Sequence, residues 1–103
     1  MKDIIVNFPD EILDRFNIEG VVVSPYTQTL GWAFLSEIKD DCIILRIYVM
    51  QLKSKNFELN GELTAFVFTK EVEMRNFYNQ LLNMSALEYM TLLQDNTEVR
   101  KPH

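Results

Sequence analysis

The chain has 103 residues, 48% of them hydrophobic and 12% aromatic, with 10 lysines and arginines against 15 acids and a formal charge of −5. That length suits one domain that buries roughly 60–70% of the surface of its unfolded chain. The excess of acid repels phosphate backbones and anionic membranes, which excludes nonspecific binding to either without a local basic patch, and the densest basic pair in the body of the chain is only Lys53 with Lys55.

A single cysteine, Cys42, excludes an intramolecular disulfide and a multi-cysteine zinc site. The apolar run Ile4–Val6 is too short for a signal segment, and no stretch approaches transmembrane length, so the expected location is cytoplasmic.

In chain order, Asp3 to Phe8 is a short strand, and Pro9 followed by Asp10 and Glu11 starts a helix whose apolar face is Ile12, Leu13 and Phe16. That helix ends near Asn17. Glu19 to Ser24, with three consecutive valines, is the next strand, ended by Pro25. Ser24 to Leu30 is then an uncharged loop in which Tyr26, Thr27 and Gln28 offer hydrogen bonds to a partner.

Gly31 to Lys39 and Cys42 to Gln51 form a hairpin turning at Asp40-Asp41. Parity supports that register, because it pairs Ile38 with Ile43, Ser36 with Leu45, Phe34 with Ile47 and Trp32 with Val49 on one largely apolar face. The opposite face then holds Leu35, Glu37, Ile44, Arg46, Tyr48 and Met50, with Glu37 diagonal to Arg46.

Phe57 to Thr69 contains Asn60-Gly61, which suggests a hairpin with a three-residue loop that pairs Phe57 with Leu63; an uninterrupted bent strand has the same parity. Thr69 is placed to cap a helix with Glu71 and Glu73 in its first turn and Met74, Phe77, Tyr78, Leu81 and Leu82 along one stripe. Ser85 with Glu88 forms a capping box for a second helix, with Leu87, Met90 and Leu93 on one face. The expected architecture is α+β: a mostly antiparallel sheet of about five or six strands, a short N-terminal helix, and two C-terminal helices packed on one face. Residues 1–94 would form the compact domain and 95–103 a flexible polar tail.

Chemistry is hard to find in these residues. The only histidine is His103, at the last position, so the usual general base and the usual partner of a Ser or Cys nucleophile are missing from the body of the chain. Cys42 follows Asp40 and Asp41, whose charges discourage a thiolate. The carboxylate pairs Asp10/Asp14, Asp40/Asp41 and Glu58/Glu62 fall on a helix surface, in a turn and on an outer strand face, and none has calcium-loop spacing. No cofactor, metal or catalytic residue is expected. An RNA-binding sheet lacks its glycine-aromatic motif here and carries the wrong charge.

Arg46 interrupts an apolar strip, which means either an ion pair with Glu37 on an open face or an interface. Interface cores favour Arg, Tyr and Met, and two C-terminal helices are too few to cover both faces of a sheet. The expected function is therefore noncatalytic protein-protein association, as a homodimer or an accessory binding module, through Leu35, Glu37, Ile44, Arg46, Tyr48 and Met50 and the loop Tyr26, Thr27 and Gln28. An acidic inhibitor that fills the nucleic-acid groove of an enzyme is the alternative, and a small enzyme the third reading.

Overall fold

The computed structural model describes residues 5–82. Within them the chain forms β1 (Val6–Asn7), α1 (Asp10–Arg15), β2 (Asn17–Val23), β3 (Leu30–Lys39), β4 (Cys42–Lys53), β5 (Asn56–Phe68) and α2 (Glu71–Leu81). The strands make one sheet in the order β1-β5-β4-β3-β2, so the architecture is α+β. Four strands run as an antiparallel meander, while β1 pairs in parallel with β5. The second C-terminal helix and the tail expected from the sequence lie outside the described residues.

The β3–β4 hairpin has the register that parity demands, from Lys39 opposite Cys42 to Trp32 opposite Val49. Asp40 and Asp41 both take positive φ, at 55° and 64°. That is the backbone of a two-residue turn whose twist matches the flanking strands, and short polar side chains tolerate it best after glycine.

Of the two readings the sequence allows around Asn60-Gly61, a hairpin and a bent strand, the structure has the bent strand. β4 continues to Lys53, the chain turns at Ser54-Lys55 with Ser54 at φ 63°, and β5 then runs unbroken from Asn56 to Phe68. Phe57 accordingly pairs with Leu52 rather than with Leu63. Gly61, at φ 106°, sits where the register shifts between Tyr48 and Met50, so its left-handed backbone bends a continuous strand instead of closing a turn.

α2 buries Met74 and Leu81 and packs Phe77 and Tyr78 partly against the sheet. It covers the face that carries Trp32, Phe34, Leu45 and Ile47, all wholly buried, with Leu63 completing the cluster. Phe34 meets Tyr78 edge-on at 5.1 Å, and Phe77 meets Phe66 at 4.5 Å, the tilted geometries that aromatic quadrupoles favour. The helix begins one residue later than expected. Lys70 is the N-cap and makes no side-chain cap, while the Thr69 hydroxyl donates to the Glu73 carboxylate at 3.5 Å.

The opposite face is a second core, and this corrects the expectation that it lies open. β1 borders β5 at one margin of the sheet and β2 lies at the other, so residues 8–16 must cross the sheet to join them. The sheet curls with that crossing: Ala33, Met50 and Phe57 are buried together, flanked by Val6 and Phe8 from one margin and Val21 and Val23 from the other. Pro9 holds the start of α1, accepting from the Ile12 and Leu13 amides. Phe16, just past the helix, is buried, whereas Leu13 is half exposed.

Candidate functional site

The strip proposed from sequence divides once the curl is in place. Leu35 and Met50 are 0% exposed and belong to the interior, so neither can meet a partner while the chain is folded. Tyr48 packs at the margin of the same cluster, and burial, with Glu62 alongside, raises its hydroxyl pKa. Ile44, Arg46 and Tyr48 keep partial exposure, and Ile44 lies opposite Val67, which is 63% exposed.

Glu37 and Arg46 do pair, as the diagonal placement requires, but within a longer alternation of charge. Arg15 Nε, on α1, donates to Glu37 Oε1 at 3.0 Å, Arg46 Nε donates to Glu37 Oε2 at 3.0 Å, and Arg46 Nη1 donates to both oxygens of Glu62 at 3.2 Å. Glu37 is buried, and burial alone would raise its pKa. The two guanidiniums outweigh that effect and hold its carboxyl below the ordinary value. For Arg46, desolvation works against the charge, yet Glu37 and Glu62 leave its pKa raised. Each central group thus has two partners of opposite sign, which is how a buried charge is tolerated. The alternation fastens α1 to the sheet and leaves Arg46 committed inside the chain.

A second ionic cluster lies under α2, and sequence reasoning missed it. An irregularity in β2 between Ile18 and Gly20 inserts Glu19 as an extra residue. Its carboxylate accepts from the Ser36 hydroxyl and from Arg75 Nη1, and Arg75 also donates to Glu71 at 3.3 Å, one turn earlier. The Tyr78 hydroxyl donates to the Glu19 carbonyl at 3.2 Å, with burial and then Glu19 raising its pKa. A shallow cleft of about 110 Å³ opens there, well below the roughly 300 Å³ at which small-molecule sites begin. No buried side-chain polar atom among the described residues lacks a hydrogen-bond partner, so nothing in the cleft points at a ligand.

The loop Ser24 to Thr29 keeps its exposure. Ser24 is buried, its Oγ accepts from the Tyr26 amide at 3.2 Å, and its carbonyl accepts from the Gln28 amide at 3.1 Å. The Ser24 amide donates to the Leu30 carbonyl at 2.8 Å, and the Leu52 amide reaches the Thr29 carbonyl at 2.9 Å. Gln28 takes φ 61° to close the turn. Held by these bonds, the loop presents Tyr26 at 73% exposure, and Thr27 and Gln28 are exposed beside it.

Glu19, Glu37, Glu62 and Glu71 are all engaged by arginines, so these acids are not free to stand in for phosphates. Among the described residues, no group of three or more His, Cys, Asp or Glu side chains could hold a metal ion, and no helix is long and apolar enough to cross a membrane. No known family, curated protein or solved structure matches this chain.

Proposed function

We propose that this chain is a noncatalytic association module whose contact surface is centred on the Tyr26-Thr27-Gln28 loop. The observation that carries this reading is a 73%-exposed tyrosine on a loop held by bonds from the Tyr26 and Gln28 amides to Ser24 and from the Leu52 amide to Thr29. An aromatic side chain with few rotatable bonds, held on a preordered backbone, loses little entropy on docking, and Tyr is among the residues that dominate interface energetics. Of the strip expected from sequence, Arg46 is engaged by two glutamates, and Leu35 and Met50 belong to the interior.

A photo-crosslinking amino acid at position 26, expressed in the native host, tests the reading. A discrete adduct that competes away with unlabelled protein is expected, and its mass separates a self-adduct from an adduct with another protein. No adduct at position 26, with a strong one from the same group at position 67, would overturn it.

A further inference from the structure

The two margins of the sheet differ in a way that specifies a partner. One margin is β1, two residues long among the described residues and followed at once by Phe8 and Pro9. The other is β2, seven residues with neither lysine nor proline, and no described strand pairs with its outer side. Proteins usually blunt such an edge with short strands, proline, charge or a bulge; β2 has one bulge, at Glu19, and runs regularly against β3 from Gly20 to Val23. The only charge on β2 is Glu19, and its carboxylate is turned to Ser36 and Arg75.

The phase of the hydrogen bonds identifies which backbone groups face outward. The Ser24 amide donates to the Leu30 carbonyl, so Ser24 and Leu30 are a hydrogen-bonded pair. Hydrogen-bonded and non-bonded pairs alternate along an antiparallel ladder. Val22 opposite Trp32 is therefore bonded to β3, while Val21 and Val23 aim their N–H and C=O groups away from it.

Resting on the association reading above, we infer that the partner is a second copy of this chain, joined antiparallel through the outer edge of β2 about a two-fold axis at Val22. In that register Val21 exchanges backbone hydrogen bonds with the partner copy's Val23 and Val23 with its Val21, and the two Val22 residues face each other. The same register, with Ile18 displaced one place by the bulge at Glu19, sets Ile18 of each copy opposite Pro25, at the foot of the other copy's Tyr26 loop. Tyr26, three residues past the end of β2, is 73% exposed and Ile18, near its start, 40% exposed, so one rotation brings both apolar side chains to the seam twice. That self-complementarity is what an isologous interface requires and what an unrelated partner would not explain.

Each copy carries −5, so the copies repel at long range while the seam itself is uncharged. Association should therefore strengthen as salt rises.

Sedimentation equilibrium of the full purified chain is the test. The expected species has twice the 12.1 kDa chain mass, with a dissociation constant that falls between 50 mM and 500 mM salt. Val21→Pro removes an outward amide without removing a bond to β3 and should give monomers. Ile18→Lys and Tyr26→Ala alter exposed side chains, retain the wild-type circular dichroism, and should each weaken the dimer at least tenfold. A monomeric wild type at millimolar concentration, or a dimer indifferent to all three variants, would overturn the inference. A monomer that still crosslinks through position 26 to another protein would leave the association reading standing and sink only the self-pairing; a monomer with no such adduct would sink both.

Discussion

Replacing Met50 with alanine separates a buried second face from an open one. Met50 is 0% exposed and shares a cluster with Ala33 and Phe57, so truncation loses the transfer free energy of the side chain and leaves a cavity under the curled sheet. Such substitutions cost about 2–5 kcal/mol, because the surroundings collapse only in part. Against total stabilities of about 5–15 kcal/mol, such a loss is a large shift in the unfolding midpoint. Urea unfolding at fixed protein concentration, followed by Trp32 fluorescence, gives the change directly, since the sole tryptophan is wholly buried on the other face. A loss of about 2 kcal/mol on a domain of this size also lowers the melting temperature by roughly 8–16 °C. A loss below about 0.5 kcal/mol, the range of ordinary surface substitutions, would refute the claim that this face is interior.

Gly20 faces Tyr78 so closely that a β-carbon would overlap the tyrosine hydroxyl, so Gly20→Ala should destabilise, and Tyr78→Phe should recover part of the loss in a double-mutant cycle measured by urea unfolding. Gly31→Ala should show no such recovery with Met50→Ala, because a β-carbon there lies 2.5 Å from the Val22 carbonyl as well as 2.9 Å from Met50 Cε, and the backbone contact persists. The Glu37 carboxyl is held below its ordinary value of 4.5, so its contribution is fully present above that value and is lost as pH falls through the lower folded value. Stability measured from pH 7 down to pH 3 should therefore fall further for the wild type than for Glu37→Gln, which should cost about 1–2 kcal/mol at pH 7.

Face assignment along β3 and β4 was legible because one register gathers Trp32, Phe34, Leu45 and Ile47 on one side and sets Glu37 diagonal to Arg46 on the other, whereas a one-residue slip would set Glu37 opposite Ile43 or Leu45. The Ser54-Lys55 turn was illegible for the opposite reason. It contains no glycine, while Asn60-Gly61 nearby carries the strongest hairpin signal in the chain and is used to bend a strand. The Glu37–Arg46 pair followed from register, but Arg15 and Glu62 depend on long-range placement, of a crossing helix and of β5. Glu19 was hidden by its irregularity, since a residue outside the period of two has no face that the sequence can assign. Burial of Leu35 and Met50 depended on the parallel pairing of β1 with β5, which local pattern does not encode.

That parallel pairing also orders events in time. Val6 pairs with Phe57, so the first strand made must wait for roughly fifty further residues before its partner exists, whereas each hairpin of the meander closes locally. The meander can zip as it is synthesised, and closure of the N-terminal segment comes last. Groups that join last and across the longest loop are the first to part in native-state fluctuations. Amide exchange at Phe57, which bonds the Ile5 carbonyl at 2.9 Å, should therefore run ahead of exchange along the β3–β4 ladder, and each opening briefly uncovers Met50.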